Sequence, residues 1–179
     1  MNKASKFAFF AGGCFWCTEA IYLRIKGVLK VNPGYCGGYV VNPTYQQVCS
    51  GNTGHAETVK IEYDPEMIDY STLVEVFFNT HDPTTLNRQG NDVGTHYRSA
   101  VFCLDTSEKQ IVMDYIKELE KSEDINNKIV TEVKMLEAFY ESEDYHKNYY
   151  NMNKNEPYCS IVISPKVIKF MEKYNKILK

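Results

Sequence analysis

The residues with the clearest chemical potential lie near the start of the chain. An apolar run, Phe7 to Ala11, ends in Gly12-Gly13 and is followed at once by Cys14-Phe15-Trp16-Cys17. Where a strand gives way to a helix, the first turn carries unpaired backbone N–H groups and the positive end of the helix dipole. Both favour a thiolate, and a free thiol of pKa about 8.5 is lowered at such a position. The glycines allow another molecule to approach the backbone closely. Cys17, three residues on, shares a helix face with Cys14. The alternative for both cysteines is burial as small hydrophobes. For Phe15 and Trp16 the ordinary expectation is core packing. The functional one is an apolar pocket beside the nucleophile, sized for a group such as a methyl.

The second chemical candidate is Glu57. Strand alternation over His55 to Tyr63 places His55, Glu57, Val59, Ile61 and Tyr63 on one face. If that face is inward, burial raises the Glu57 pKa and the protonated carboxyl serves as a general acid. If Glu57 sits at the open end of the strand, it only meets solvent, and periodicity does not choose between the two. His55, His81, His96 and His146 are scattered, with no second Cys-x-x-Cys and no His-x-x-x-His. That excludes the usual spacing of a structural zinc site, so no metal is expected. No phosphate loop of the usual glycine spacing is present.

These groups need a scaffold. Lys6 to Ala11 reads as a buried strand, followed by a helix from Cys14 to Lys26, stopped by Gly27. Val28 to Tyr35 reads as a second strand kinked or ended at Pro33-Gly34, residues 36–54 as loop, and His55 to Tyr63 as a third strand. A helix over Ser71 to Asn79 follows, with Thr72 and Glu75 as its capping box. A polar loop from Thr80 to Thr95 precedes a strand from Tyr97 to Leu104, and Asp105 to Ser122 is an amphipathic helix. Lys128 to Lys134 reads as a strand and Glu141 to Asn151 as an aromatic-rich helix. The first six elements run β-α-β-β-α-β, the split βαβ of a ferredoxin-like core. The expected class is therefore α+β, an elaborated ferredoxin-like fold with extra helices and a long C-terminal tail.

The 179 residues suit a single catalytic domain, 1–179, able to bury a core without staples. Within it, 160–179 form a tail or docked helix: Val167, Phe170, Met171, Tyr174, Ile177 and Leu178 fall at helical spacing between lysines. A net charge of −3 calls for neither nucleic acid nor an anionic membrane as partner. No stretch approaches the ~20 apolar residues of a membrane span. Met1 to Lys6 is short and polar, and the run after it is too short for a signal-peptide core. The chain reads as cytoplasmic, where its six cysteines are thiols rather than a disulfide framework.

Gly13-Cys14-Phe15-Trp16 with Glu19 resembles the signature of the A-type peptide methionine sulfoxide reductases. Further blocks match in order: Gly34-Tyr35 with Gly37-Gly38-Tyr39, Asn42-Pro43-Thr44-Tyr45, Val48-Cys49-Ser50-Gly51, and Thr53-Gly54-His55-Ala56-Glu57. His81-Asp82-Pro83, Arg88 to Asp92, Gly94-Thr95 with Tyr97-Arg98-Ser99, Phe139-Tyr140 with Glu143 to His146, and Tyr158-Cys159 follow. The resemblance implies an elaborated ferredoxin-like fold and reduction of the S epimer of methionine sulfoxide, free or in oxidised proteins under repair after oxidative stress. It implies Cys14 as nucleophile, Glu57 as acid, Tyr45 and Tyr97 as hydrogen-bond donors to the sulfoxide oxygen, and Asp92 as a carboxylate of the same site. It makes Phe15 and Trp16 the walls of the methyl pocket, requires no metal or organic cofactor, and names thioredoxin as the external dithiol.

Two positions depart from the commonest family pattern: Cys17 stands where glycine is frequent, and the tail lacks a glycine-rich stretch with a further cysteine. The resolving thiol is then Cys159, at a matching position, or Cys17. Cys159 is favoured, because a regular helix holds i and i+3 side chains farther apart than the Cβ separation of about 3.5–4.5 Å in a disulfide. Cys36, Cys49 and Cys103 read as core or loop thiols. Two other functions compete: a thioredoxin-like disulfide oxidoreductase using Cys14 and Cys17, and a non-catalytic module that binds oxidised methionine or a partner helix through Trp16.

Overall fold

The computed structural model describes residues 4–179; Met1 to Lys3, counted above with the polar start of the chain, lie outside the described residues. The architecture is α+β. The all-apolar run becomes β1 (Lys6–Gly12), and a helix, α1 (Phe15–Tyr22), starts one residue after Cys14. Expected to reach Lys26, α1 stops at Tyr22 for a tertiary reason. Arg24 and Ile25 tighten into turns on Ile21 and Tyr22, and the chain end takes the next groups: Lys26 N–H donates to Ile177 O at 2.8 Å and Lys179 N–H to Arg24 O at 2.9 Å.

β2 (Val28–Cys36) runs straight through Pro33-Gly34. The Pro33 carbonyl accepts from both the backbone N–H and the hydroxyl of Ser142. The segment expected as loop holds a short helix, α2 (Tyr45–Cys49). Its start is a reciprocal capping box between Thr44 and Gln47, a signal present in the sequence. β3 (Ala56–Tyr63) follows, then α3 (Tyr70–Asn79). The cap of α3 is Asp69, which accepts from Thr72 N at 2.7 Å, in place of the expected Thr72–Glu75 box.

The polar loop carries a small hairpin, β4 (Arg88–Gln89) and β5 (Asp92–Val93). Tyr97 belongs to a 3-10 turn, Thr95–Tyr97, ahead of β6 (Ser99–Cys103). The amphipathic helix is α4 (Thr106–Lys121), and β7 (Glu132–Met135) lies slightly later than expected. Residues 141–151 are not one helix. They end a strand, β8 (Phe139–Glu141), form a 3-10 turn at Asp144–His146, and reach α5 (Tyr149–Met152) only after Asn148 adopts a left-handed conformation, φ 55°. A π-helical stretch, Cys159–Ile163, leads into α6 (Ser164–Lys173). Among the described residues no helix is long and apolar enough to cross a membrane.

Six strands form one sheet in the order β7-β6-β1-β3-β2-β8. All neighbours are antiparallel except the parallel pair β6 and β7. Successive side chains of a strand point to opposite faces, and both faces here are apolar. Phe9 and Ala11 of β1 pack with Ala56, Phe102 and Phe139. Ala8 and Phe10 face α1 and α3, where Phe10 stacks on Phe77 at 5.0 Å between ring centroids. Val59, Ile61 and Tyr63 share that second core, so the alternation that groups them with Glu57 turns the carboxylate inward. α6 is docked: Phe170 joins the same core and Val167 packs with Cys14 and Cys17.

The cap at α3 is directly testable. Asp69→Ala should lower unfolding stability by about 1 kcal/mol. Thr72→Ala should leave it unchanged or slightly raised, because alanine is the better helix former. Urea midpoints of the two variants check this; a larger loss in Thr72→Ala would restore the capping box expected from sequence.

Candidate active site

Cys14 occupies the N-cap of α1, with φ −59° and ψ 124°, immediately after the chain turns at Gly13. Gly13 has φ +94°, and a Cβ there would lie 2.6 Å from the Gln89 side chain, so only glycine fits. Gln89 is held in turn by the Asp82 backbone, donating from Nε2 to its carbonyl and accepting its N–H. Cys14 is 8% exposed.

Across from it, Glu57 of β3 is 1% exposed. Its Oε2 accepts the Phe15 backbone N–H at 3.0 Å, one of the donors that the start of α1 leaves unpaired. Oε1 has no partner. Burial pushes the carboxyl up to about 8, against the Phe15 hydrogen bond, with Asp92 and Cys17 adding to the rise. Glu57 is thus a neutral acid at pH 7, as its inward-facing alternative requires.

The expectation for Cys14 changes. A helix start favours a thiolate, but burial raises this thiol well above the ordinary cysteine value, and the Cys17 hydrogen bond and the Glu57 carboxylate add to the rise. Cys17 is lowered, chiefly by its hydrogen bond with Cys14 and, after the opposing effect of burial, by the Lys166 ammonium. The side chains of the two cysteines interact directly, which raises one thiol and lowers the other.

The remaining predicted residues gather around this pair. Tyr45 begins α2; its backbone N–H donates to Glu143 and its ring lies 6.2 Å from that of Phe15, nearly parallel. Tyr97 packs against the apolar cluster that contains Cys14, Cys17 and Cys159. Burial raises both tyrosines, with the Glu57 carboxylate as the next cause, so both remain phenolic donors. Asp92, on the β4–β5 hairpin, accepts a 2.6 Å hydrogen bond from Tyr158 Oη. Phe15 is buried among Tyr35, Tyr45 and His146. Trp16 is partly buried; it stacks on Tyr149 at 3.8 Å and donates from Nε1 to His146 Nδ1 at 3.0 Å. Cys159 is fully buried in the same cluster as Cys14 and Cys17. Cys36 and Cys103 are buried and Cys49 is exposed.

Several residues had been given no role. Tyr158 hydrogen-bonds Asp92 at 2.6 Å and Cys17 Sγ at 3.9 Å, and its hydroxyl offsets part of the rise at Cys14. Glu19, 2% exposed, accepts the Asn148 N–H at 2.8 Å and so fixes the turn that carries Tyr149 onto Trp16. Burial raises Glu19 to about 7. Arg98 ties the Gly54 carbonyl to that of Thr95, joining the two segments that flank Glu57 and Tyr97. Tyr158 and His146 belong to segments that resemble the family, but nothing in their spacing tells that they reach a site 130 or more residues away.

A buried acid, two phenols, and a nucleophilic thiol with a second thiol in contact can activate and reduce a polar S=O group beside an apolar wall. Comparison with known proteins bears on the family. The model of the family described as peptide methionine sulfoxide reductase matches residues 6–178. The protein named peptide methionine sulfoxide reductase MsrA of Saccharolobus solfataricus is 56% identical over 161 residues, 90% of each chain. The reduced form of Mxr1 from Saccharomyces cerevisiae superposes with a TM-score of 0.80 at 32% identity, over 89% of this chain and 91% of that one. The same yeast protein in complex with Trx2 gives a TM-score of 0.57 at 23% identity, over 83% and 87%. The chain therefore belongs to the A-type peptide methionine sulfoxide reductase family.

Proposed function

We propose that Cys14 carries the family's reaction here, reducing the S epimer of methionine sulfoxide, free or within proteins, as a repair of oxidative damage. The observation that carries this reading is the buried Glu57 carboxyl bonded to the first N–H of the helix that Cys14 caps. A sulfoxide sulfur is electrophilic only when its oxygen is protonated or strongly hydrogen-bonded. Glu57 gives that proton, and Tyr45 and Tyr97 donate hydrogen bonds where negative charge develops. Phe15 and Trp16 enclose the methyl group, and Tyr158 and Asp92 hold the polar side.

Cys14, held as a thiol by burial, attacks the sulfoxide sulfur as its proton replaces the one that Glu57 gives to the oxygen. The oxygen ends on Cys14, which is oxidised by two electrons to a sulfenic acid, while the substrate sulfur is reduced by two and methionine leaves. A second thiol displaces the hydroxyl as water and forms a disulfide. An external dithiol then reduces that bond by exchange. Thioredoxin is the proposed dithiol, as the complex of the yeast relative with Trx2 suggests. The electrons all come from thiols, so the scheme calls for no metal or organic cofactor.

The resolving thiol is proposed to be Cys17. Its hydrogen bond with Cys14 supports this, and Cys14 sits at the N-cap rather than inside the helix, which relaxes the i to i+3 spacing that had favoured Cys159. Cys159 lies in the same cluster and is the proposed relay to the external dithiol. The chain is read as one catalytic domain, 1–179, with 160–179 docked on it. Its core is read as an elaborated ferredoxin-like fold; the antiparallel order β6-β1-β3-β2 supports this. The six free thiols fit a cytoplasmic location.

Three outcomes test this reading. With dithiothreitol and a racemic N-capped methionine sulfoxide, chiral chromatography should show loss of the S epimer alone and appearance of methionine. Consumption of neither epimer would sink the assignment and return the disulfide-exchange and binding alternatives. Glu57→Gln should slow turnover by about 10²-fold or more. The acid works protonated, so wild-type turnover should fall as pH rises through about 8, and Glu57→Gln should lack that limb. The sign for stability agrees: a carboxyl raised on folding contributes fully below the ordinary carboxylate range and loses that contribution as pH rises through about 8. Cys17→Ser should keep turnover with dithiothreitol and lose it with thioredoxin, with sulfenic acid accumulating on Cys14. Direct Cys14–Cys159 bonding in oxidised wild type, found by peptide mapping before any Cys14–Cys17 bond, would reverse the assignment.

A further inference from the structure

Beside the catalytic thiol, Glu57 has two neighbours, Cys49 and His96, that the reduction chemistry does not use. Cys49 closes α2, Glu57 lies at the start of β3, and His96 sits in the 3-10 turn before β6. A sulfur, a carboxylate oxygen and an imidazole nitrogen from these residues all lie within 4.8 Å of one another. Among the described residues they form the one such cluster of potential metal donors. Two of the three are buried with an orphaned polar atom. Glu57, 1% exposed, has no partner for Oε1, and His96, 6% exposed, has none for Nδ1. Buried polar atoms are nearly always paired. Two residues that each carry an unpaired atom, clustered with a thiol, make a ligand set.

We propose that Cys49, Glu57 and His96 form an inhibitory site for a zinc-type divalent cation. Thiolate, imidazole and carboxylate are the donors of tetrahedral Zn²⁺ sites, and three protein ligands leave a fourth position for water. Bond lengths of about 2.0–2.3 Å place tetrahedral ligands roughly 3.3–3.7 Å apart. The set must therefore close slightly. Cys49 is the member that closes on the other two, because it is exposed at the end of a five-residue helix with the Tyr45 hydroxyl against its thiol, whereas Glu57 and His96 are fixed by burial. Binding involves no redox change: the cation displaces the thiol proton of Cys49 and the carboxyl proton of Glu57 to solvent. A Glu57 engaged as ligand no longer gives its proton to the sulfoxide, so reduction slows while the cation is bound. The inhibitory part rests on Glu57 being the acid; the binding part does not. The spacing argument that excludes a structural zinc site is unaffected, since these donors come from three separate segments.

The test uses the full chain, reduced and then freed of dithiol, because dithiols chelate zinc. Co²⁺ is the optical probe. Wild type and Cys17→Ser should each bind one Co²⁺ with a sulfur-to-cobalt charge-transfer band in the near ultraviolet, and Zn²⁺ should abolish the band by displacement. Cys49→Ser and His96→Asn should both lack it. Survival of the band in Cys49→Ser, its loss in Cys17→Ser, or no band in wild type would overturn the site. In single turnover without added reductant, Zn²⁺ should slow wild type by about 10²-fold, the contribution of a general acid, and leave Cys49→Ser unaffected. Binding at the three residues without slowing would overturn the inhibitory role and count against Glu57 as the acid. Absence of binding would leave the acid assignment untouched.

Discussion

The hydrogen bond from the Phe15 backbone N–H to the Glu57 carboxyl is the contact on which the arrangement depends. It joins the first turn of α1 to the centre of the sheet, and it fixes where Cys14 must lie, one residue before the donor. A helix start has N–H groups to satisfy, and a carboxyl removed from water must have a partner. Each meets the other's need. The pairing leaves Glu57 with its second oxygen free and its proton retained, because a single backbone donor offsets only part of the burial penalty.

Around that contact the structure separates two tasks. One group, Tyr45, Tyr97, Asp92 and Tyr158, gathers around Cys14 and Glu57, each delivered by a different short element between the long strands and helices. The other keeps the aromatic wall in place. Trp16 is fixed on three sides by Tyr149, His146 and Tyr158. Tyr149 is fixed through Asn148 by the Glu19 carboxylate one turn beyond Cys14 on the same helix. The start of α1 therefore carries Cys14 at its N-cap, Trp16, and Glu19, which holds the support of Trp16.

The C-terminal segment is part of the same construction. It supplies Tyr158 and Cys159 to the cluster around Cys14 and Cys17, then docks through Val167 and Phe170, and finally bonds to the backbone of residues 24–26. That last pairing shortens α1 and ties the C-terminal end of the chain to the segment that follows it. Apolar residues at helical spacing announced the docking. The lysines between them announced only a solvated face, although Lys166 lies close enough to lower Cys17.

The sequence by itself determined what local chemistry determines. The apolar run before two glycines and a cysteine made a strand, a turn and a helix start, and period-two alternation put Glu57 on the face of Val59, Ile61 and Tyr63. The ordered blocks of matching residues identified the family. Sequence did not determine which face of β3 was inward, because alternation is symmetric until another element covers one side. Nor did it set the end of α1, the break at Asn148 or the cap of α3, where tertiary bonds or a competing acceptor overrode propensity. Tertiary structure alone decided the state of the thiols. A helix start argued for a thiolate at Cys14, but burial, the Cys17 contact and the nearby carboxyl act in three dimensions and reverse that preference. Likewise Tyr158 and the trio of Cys49, Glu57 and His96 become neighbours only when the sheet closes, since no spacing along the chain records a contact between segments this far apart.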